Sequence, residues 1–304
     1  MNAAVRRIAL TKRVICVSDI HGHVHWLNRL LENAGYAPRR DTLLILGDIY
    51  TKGPYGAETL RRVMELSRAP NVHILRGNCE DITGWMSPDE DAWVNALPHI
   101  LDAGEYVFVH GGLPSEDLEH LEMWACMKND AFMEQGLSFS RWVVHGHWPV
   151  NNYCHRIPCY NPIVSERQRI IAIDGGCGIK GAGQLNAFLI EDGAFSFMPV
   201  DDLPLYRAEK TQCESGGTLN TTWSDRFVDV LSRGDEFSIV RHRATGLELE
   251  TPNSHIWEHD GQWQSAGDTD YCLPVAAGET VKLVEAFSDR VLAKKDGVAG
   301  WIFL

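Results

Sequence analysis

The sequence is poor in basic residues and has no long apolar run. Its 304 residues include 28 Lys and Arg against 41 Asp and Glu, a formal net charge of −13. We expect no broad nucleic-acid binding from so acidic a chain, because such binding needs a basic surface. No stretch reaches the roughly 18 uncharged apolar residues of a membrane span, and the first residues lack the apolar core of a secretion signal. We therefore expect no membrane partner.

Cysteine pairs are also missing. The eight cysteines are scattered and none forms a C-x-x-C pair. The sequence therefore predicts neither a zinc ribbon nor a disulfide framework. Reduced thiols are typical of the cytoplasm, which is the location that we expect. With 44% hydrophobic and 23% charged residues, the chain is globular, and its length predicts two domains or one large one.

The first 200 residues alternate short apolar strands with amphipathic helices, which is typical of βαβ units and a mainly parallel sheet covered on both faces. The predicted strands are 13–18, 42–46, 72–75, 106–109, 142–144, 170–173, 187–190 and 194–198. Helices are predicted over 25–34 and 57–66, and the segment 118–135 is predicted to be largely helical.

Polar residues collect where the predicted strands end, with Gly beside each group. In chain order they are Asp19, His21, Asp48, Asn78, His110, His145 and His147. The carboxyl ends of strands in an open α/β sheet form its ligand-binding edge. A single Asp or His at a strand end is usually a hydrogen-bonded loop residue, but five such groups in one order predict a site. Carboxylate, amide and imidazole groups suit Mn, Fe or Zn.

These seven residues suffice for two metal ions that share one carboxylate. One ion is predicted at Asp19, His21, Asp48 and His147, and the other at Asp48, Asn78, His110 and His145. Two cations ~3.5–4 Å apart generate hydroxide from a bridging water and clamp phosphoryl oxygens during in-line attack. The sequence therefore predicts chemistry on a phosphorylated substrate.

The order of the motifs resembles the calcineurin-like metallophosphoesterase superfamily, whose pattern is D-x-H, G-D-x-x-D-R-G, G-N-H-E/D, H-G-G and G-H-x. The matching segments read SDIHGH (18–23), LGDIYTKGP (46–54), LRGNCE (75–80), VHGGL (109–113) and HGHWP (145–149). They look most similar to the bacterial serine/threonine protein phosphatase-like branch, which is related to diadenosine tetraphosphate hydrolases. The resemblance implies a β-sandwich flanked by helices, two divalent ions (Mn first, Fe or Zn as alternatives) and phosphoester hydrolysis by a metal-bridging hydroxide.

Two positions depart from the family pattern. Thr51 stands in place of the second Asp of G-D-x-x-D, and Cys79 in place of the His of G-N-H. In the family that pair is generally assigned as proton donor to the leaving group. Four interpretations stay open. In the first three, Cys79 is itself the acid, the substrate has a good leaving group such as a nucleotide anhydride, or the protein is a phosphodiesterase, since related small phosphodiesterases also carry G-N-C. An inert Cys79 and a weakly active site is the fourth.

Three basic residues are candidates for binding the negatively charged phosphate group of the substrate. Arg76 matches the substrate-binding Arg of the family, and a guanidinium grips phosphate with two parallel hydrogen bonds. Lys52 stands where the family has the Arg of D-R-G, and Lys128 lies near a second phosphate-binding Arg. The expected substrate is a phosphorylated small molecule, a nucleotide or a phosphoprotein, and a monoester ranks above a diester or a dinucleoside polyphosphate. The rival hypothesis is a module that binds phosphorylated ligands without turnover.

Helical periodicity fades after about residue 205, which predicts a catalytic domain over 1–205 and an all-β domain over 206–304. The segment 278–304 is similar to bacterial SH3-like modules, in which a G-x-x-V-x-V strand is followed by a second strand and a closing G-W-I. That resemblance implies peptide binding or dimerisation. The aromatic residues Trp257, Trp263 and Trp301 form either a binding surface or the core of a small barrel.

Overall fold

The computed structural model describes residues 1–82 and 84–304 and contains two compact units. The first unit comprises Met1–Val150, Asn161–Ile179 and Gly183–Asp201. The second comprises Asn151–Tyr160, Lys180–Ala182 and Asp202–Leu304. The predicted domains, 1–205 and 206–304, assign residues 151–160 and 180–182 to the first domain, whereas in the structure these two short segments belong to the second unit.

The described residues of the first unit form eleven strands and four α-helices. The strands are β1 (Val5–Arg7), β2 (Arg13–Val17), β3 (Asp41–Ile45), β4 (Val72–Ile74), β5 (Ile100–Asp102), β6 (Tyr106–Val109), β7 (Trp142–His145), β8 (Ile163–Ser165), β9 (Ile170–Ala172), β10 (Leu185–Glu191) and β11 (Ala194–Val200). The helices are α1 (Val24–Asn33), α2 (Gly56–Leu66), α3 (Pro88–Asn95) and α4 (Met123–Met127), with 3₁₀ helices at Asn78–Asp81 and Phe132–Gln135 and, where the chain leaves the unit, Val150–Tyr153. None of the helices in the described part of the chain is long and apolar enough to cross a lipid bilayer.

The strands form two mixed sheets, with orders β1-β5-β6-β7-β9-β8 and β11-β10-β2-β3-β4. The prediction of parallel pairing is confirmed for β2-β3-β4 and for β6-β7-β9. It is wrong for the neighbours of these strands, since β10 pairs antiparallel with both β2 and β11. The two-residue turn Asp192-Gly193, with φ of 49° and 80°, closes β10 and β11 into a hairpin and so fixes their direction.

The alternation of side chains along β2 explains how the layers pack. Val14 and Cys16 join a buried cluster that contains residues of both sheets, so this face lies inside a sandwich. Ile15 and Val17 face the other way, into a cluster with α1 and α2. A third cluster covers the far side of the six-stranded sheet, over β6 and β7. The first unit is thus a mixed α/β sandwich flanked by helices.

The prediction of a largely helical segment over 118–135 is wrong. Only α4 and one 3₁₀ helix form there. The backbone N–H of Gly111 donates to the carbonyl oxygen of Cys126 at 2.8 Å, which ties the segment to the end of β6. Ala131 adopts a left-handed conformation with φ of 52°, which no α-helix accommodates. The chain therefore crosses the sheet edge as a loop.

The regular secondary structure of the second unit is almost entirely β-strand, as predicted. The strands are β12 (Leu205–Arg207), β13 (Val228–Arg233), β14 (Phe237–His242), β15 (Glu248–Pro252), β16 (Trp257–His259), β17 (Gln262–Gln264), β18 (Thr280–Ala286), β19 (Arg290–Lys295) and β20 (Val298–Phe303), with a 3₁₀ helix at Asn253–His255. They form the sheets β12-β18-β19-β20, β13-β14-β15 and β16-β17. Trp301 is buried, Trp263 packs against a small core and Trp257 is exposed, so these residues do not share one surface.

Candidate metal centre

The seven predicted ligands lie where parallel strands end. β2, β3 and β4 run side by side and lead into Asp19, His21, Asp48 and Asn78. In the other sheet β6 and β7 are also parallel, with Val109 beside His145, and they lead into His110 and His147. Asp19, His21, Asp48, His110 and His145 are buried. Such a concentration of buried polar groups requires partners.

Asp48 lies between two histidines. Its Oδ2 is 3.7 Å from His21 Nε2, and its Oδ1 is 3.3 Å from His110 Nε2. His21 Nε2 is also 3.9 Å from Asp19 Oδ1, and His110 Nε2 is 3.1 Å from Asn78 Oδ1. Each carboxylate oxygen of Asp48 thus faces a different group of donors. Burial opposes ionisation of Asp48, but the neighbouring His110 and His21 hold its pKa well below the usual range.

The donor atoms fit divalent ions. Asp19 Oδ1, His21 Nε2 and His145 Nε2 are buried without a hydrogen-bond partner. The gaps from His21 to the two carboxylates are too long for hydrogen bonds, and atoms that bind one ion at ~2.0–2.2 Å lie about 3–4 Å apart. Two groups of donors close enough to hold an ion share Asp48, one with Asp19 and His110 and one with His21 and Cys79.

His145 keeps a bare nitrogen for a metal, whereas His110 has one only when its ring is neutral, because burial opposes protonation of His110 but Asp48 and Asp19 raise its pKa. His110 Nδ1 lies 2.7 Å from Leu46 O, and His145 Nδ1 lies 2.9 Å from Gly146 O. An imidazole that donates Nδ1–H to a carbonyl leaves Nε2 as a ligand atom. Burial lowers the pKa of His145 to about 3, so this ring stays neutral, the form that metals bind.

The backbone of this site is strained. Asp19, His21, Asp48 and His147 have φ of 53°, 45°, 52° and 64°. Left-handed conformations in residues other than Gly cost about 1–3 kcal/mol each and cluster at functional sites. The strain turns these side chains towards one another.

Gly146 separates the two histidines of the last motif for a steric reason. A Cβ atom at this position would lie 1.8 Å from Ser18 Oγ and 2.3 Å from Asp19 Oδ2. The backbone N–H of His147 donates to the same oxygen of Asp19 at 2.9 Å. Only glycine allows β7 to approach Asp19 this closely.

Glu80 is a buried residue of the site that fills the E/D position of the family pattern G-N-H-E/D. Its carboxylate accepts hydrogen bonds from the backbone N–H groups of Asp48, Ile49 and Gly77 at 2.8, 2.8 and 2.6 Å. These bonds fix the loops after β3 and β4 to each other. Burial and the nearby Asp48 raise the pKa of Glu80 to about 7.

Thr51 and Cys79 lie beside the predicted metal ligands. Thr51 Oγ1 is 3.2 Å from His21 Nδ1, and the backbone N–H of Cys79 donates to Asp48 Oδ1 at 3.0 Å. Burial, with the negative charge of Asp48, raises the pKa of the Cys79 thiol far above its ordinary value. The thiol therefore keeps its proton, which weighs against Cys79 as the acid of the reaction.

The three predicted phosphate-binding residues lie in different surroundings. Arg76 pairs with Asp81, while its Nε is buried without a partner. Lys52 is exposed, with φ of 68°. Burial lowers the pKa of His21, and the charge of Lys52 lowers it further. Lys128 Nζ contacts Asp130 and lies 3.5 Å from His147 Nε2.

Asp130 and Asp174 are further acidic residues near the ligands. Asp130 Oδ1 lies 2.7 Å from His147 Nε2. The sequence does not predict this contact, because Asp130 follows no predicted strand. Asp174 is buried and accepts a hydrogen bond from Gly176 N at 2.8 Å. Burial and Asp19 raise its pKa well above the usual range, so Asp174 adds little negative charge.

Two curated proteins are similar to part of this chain. Bis(5'-nucleosyl)-tetraphosphatase, symmetrical, of Paracidovorax citrulli (strain AAC00-1) is 32% identical over 148 residues, which cover 39% of this chain and 53% of that protein. The protein of that name from Acidovorax ebreus (strain TPSY) is 32% identical over 123 residues, 32% of this chain and 43% of its own. The chain thus spans about half the length of these curated relatives.

A solved structure and a family model complete the comparison. The crystal structure of a candidate diadenosine tetraphosphatase aligns with a TM-score of 0.50 and 21% identity, over 65% of this chain and 98% of that one. This likeness concerns the fold. Residues 12–173 match the family model of the calcineurin-like phosphoesterases. Because that match covers more than half of the chain, the protein belongs to the calcineurin-like phosphoesterase family.

Proposed function

We propose that this protein hydrolyses phosphoesters with two divalent metal ions, with Mn as the first candidate and Fe or Zn as alternatives. The observation that carries the proposal is Asp48, whose two oxygens face His21 and His110 at 3.7 and 3.3 Å. A carboxylate in this position would be shared by two divalent ions, each beside one of its oxygens. The orphaned atoms of Asp19, His21 and His145 support the same assignment.

The residues divide the work of such a reaction. Two bound ions supply an activated water and a clamp on the phosphoryl oxygens. Asn78 and Arg76 orient the phosphoryl group, and Lys128, close to His147, neutralises charge that develops on it. We assign Lys52 a weaker contact at the rim, because its side chain is exposed.

The substrate follows from the absence of the usual proton donor. General acid catalysis contributes about 10²–10⁴-fold, most for poor leaving groups such as alkoxides. A phosphomonoester is the first candidate, and one with a good leaving group, such as an aryl ester, fits the missing acid better than a serine/threonine phosphoprotein, whose leaving group is an alkoxide. A dinucleoside polyphosphate is the second, favoured by the relatives named above and by a thiol, Cys79, that holds its proton. A phosphodiester is the third.

The domain organisation is also part of the proposal. Residues 1–205 form the catalytic domain and residues 206–304 a separate SH3-like domain, for which the four-stranded sheet β12-β18-β19-β20 gives support. Peptide binding or dimerisation by the second domain stays a prediction. The eight cysteines are all free, which supports a cytoplasmic location.

The test compares p-nitrophenyl phosphate, bis-p-nitrophenyl phosphate and diadenosine tetraphosphate in the presence of Mn²⁺. Asp48→Asn removes the bridging carboxylate, and Asp89→Asn is the matched control on the exposed start of α3. We expect turnover that requires Mn²⁺, survives in Asp89→Asn and disappears with metal binding in Asp48→Asn. The ratio of the three rates identifies the substrate class. Full activity of Asp48→Asn contradicts the two-metal proposal, and Mn²⁺ binding without any turnover favours the binding-module rival.

A further inference from the structure

Trp85 is an exposed aromatic residue close to the loops that carry the proposed metal ligands. It is 45% exposed, although an indole is one of the largest apolar groups that a protein can bury. It lies in the turn between the 3₁₀ helix Asn78–Asp81 and the helix α3. The hydrolysis proposed for the metal centre gives this side chain no task.

The indole of Trp85 is supported by Tyr50. The two ring centroids are 5.3 Å apart and the ring planes meet at 79°, which is an edge-to-face contact. Tyr50 is only 3% exposed, and its hydroxyl donates to the carbonyl oxygen of Glu80 at 2.9 Å. A ring that leans on a buried, hydrogen-bonded ring is held more firmly than an isolated surface side chain. The exposed part of the indole is therefore presented from a fixed support.

The neighbours of Trp85 place it near the proposed phosphate site. Tyr50 follows Asp48 by two residues, so their Cα atoms are at most about 7.6 Å apart. Asp81 forms an ion pair with Arg76, the proposed phosphate-binding residue. Trp85 follows Asp81 by four residues, which limits the distance between their Cα atoms to about 15 Å. Both connections lead from the indole to residues that would hold the phosphoryl group.

The surroundings of Trp85 favour a neutral partner. The helix α3 begins shortly after it, with Asp89, Glu90 and Asp91 in its first turn. Three carboxylates disfavour a second phosphoryl group or an acidic peptide beside the indole, because like charges repel. A neutral planar ring meets no such repulsion, and stacking on an aromatic side chain suits any nucleobase, since every base has a π face.

The distance from the metal centre decides between the two kinds of aromatic substrate. In an aryl phosphate the ring is bonded directly to the ester oxygen, so it stays beside the metal ions. In a nucleotide the ribose carries the base several bonds further out, towards the rim where Trp85 lies. A nucleotide anhydride also has a good leaving group, which suits a site with Thr51 and Cys79 in place of the usual proton donor.

We infer that Trp85 is a specificity-determining residue that stacks on the base of a nucleotide substrate. The inference rests on the proposed two-metal phosphoesterase. It adds a preference for nucleotides among the phosphorylated compounds that the metal centre accepts, and it places the part of the substrate that lies beyond the phosphoryl group.

Isothermal titration calorimetry of the full chain loaded with Mn²⁺ tests the inference without turnover. The two ligands are α,β-methylene adenosine diphosphate and methylenediphosphonate, which share a methylene-bridged pair of phosphoryl groups and differ in the adenosine. Trp85→Leu keeps an apolar side chain without the aromatic ring, and Trp85→Phe restores a ring. Phe197→Ala is the matched control, because Phe197 is 40% exposed and its strand β11 lies at the edge of the five-stranded sheet opposite to β4. Circular dichroism shows whether each variant is folded.

We expect the wild type to bind the adenosine ligand about 5–150-fold more tightly than methylenediphosphonate, which is the range for one base stacked on an aromatic side chain. Trp85→Leu should lose this difference and keep its affinity for methylenediphosphonate. Trp85→Phe should keep most of the difference, and Phe197→Ala all of it.

The opposite results separate the inference from the proposed function. A wild type without the preference, a Trp85→Leu variant that keeps it, or an equal loss for both ligands overturns the inference alone. A Mn²⁺-loaded wild type that binds neither ligand overturns the proposed function as well.

Discussion

His255 in the second unit makes the stability of that unit depend on pH in a calculable way. Its Nδ1 lies 2.6 Å from Asp268 Oδ1, and its Nε2 lies 2.7 Å from Glu285 Oε2. Only the protonated imidazole donates from both nitrogens, so above its pKa one carboxylate faces a bare nitrogen. Burial opposes protonation, but the hydrogen bond and charge of Asp268, followed by those of Glu285, raise the pKa of His255 to about 9.

The sign and size of the effect follow from linkage. The folded-state pKa lies above the unfolded value of about 6.5, so the protonated imidazole contributes its full stability below about pH 6.5. That contribution disappears as the pH rises through about 9. Each pKa unit corresponds to about 1.4 kcal/mol. Because 26% of the His255 side chain is exposed, we discount the sum for solvent screening to about 1–2 kcal/mol.

The assay is urea denaturation of the second unit between pH 6 and pH 10, followed by tryptophan fluorescence. We expect the free energy of unfolding of the wild type to fall by about 1–2 kcal/mol over this range. His255→Gln is expected to remove that fall. His259→Gln is the matched control, since His259 is exposed and lies 3.4 Å from Asp260. Parallel pH profiles for the wild type and His255→Gln would refute the reasoning.

Three further predictions concern the first unit. Gly146→Ala places a Cβ atom 1.8 Å from Ser18 Oγ and should weaken Mn²⁺ binding by at least about tenfold. The control Gly181→Ala, in the second unit, places its Cβ atom 3.7 Å from Val284 and should leave Mn²⁺ binding unchanged. Equal isotherms for the two variants would contradict the steric argument. Cys79→His alone should not accelerate alkyl-phosphate hydrolysis, since Thr51 cannot orient the imidazole as a carboxylate does. The double variant Cys79→His with Thr51→Asp should accelerate it. A large gain from the single change would show that the Asp–His pair is not needed. Phe188→Ala should lower the free energy of unfolding by about 3–5 kcal/mol, because Phe188 is buried between the two sheets; a loss below about 1 kcal/mol in denaturation would contradict that packing.

The sequence predicts well those elements whose signals are local. The apolar runs at β2 and β3 and the amphipathic pattern of α1 are each contained in a few consecutive residues. The helix α3 has an N-terminal signature in Ser87 and Glu90, which cap it reciprocally. It lacks an apolar stripe, however, because only Val94 of this helix is buried. Periodicity alone therefore misses it.

The site divides along the same line. The proposed ligands follow strands, which is a signal that the sequence carries, whereas their hydrogen-bond partners come from distant segments. Glu80 reaches Asp48 across 32 residues, and Asp130 reaches His147 across 17. Loops at 51 and 130 carry no periodic pattern that would place them. Whether a polar loop residue holds a ligand or only solvent is decided by tertiary contacts, which a single sequence does not encode in its spacing.

The strained backbone of Asp19, His21, Asp48 and His147 couples folding to the supply of metal. Four left-handed residues and buried like charges raise the free energy of the metal-free state, and ions that bind only the folded chain lower it by mass action. The melting temperature of this unit then becomes a function of free metal concentration. Under metal limitation, unfolding and proteolysis would therefore lower the amount of the protein, in addition to any loss of its activity.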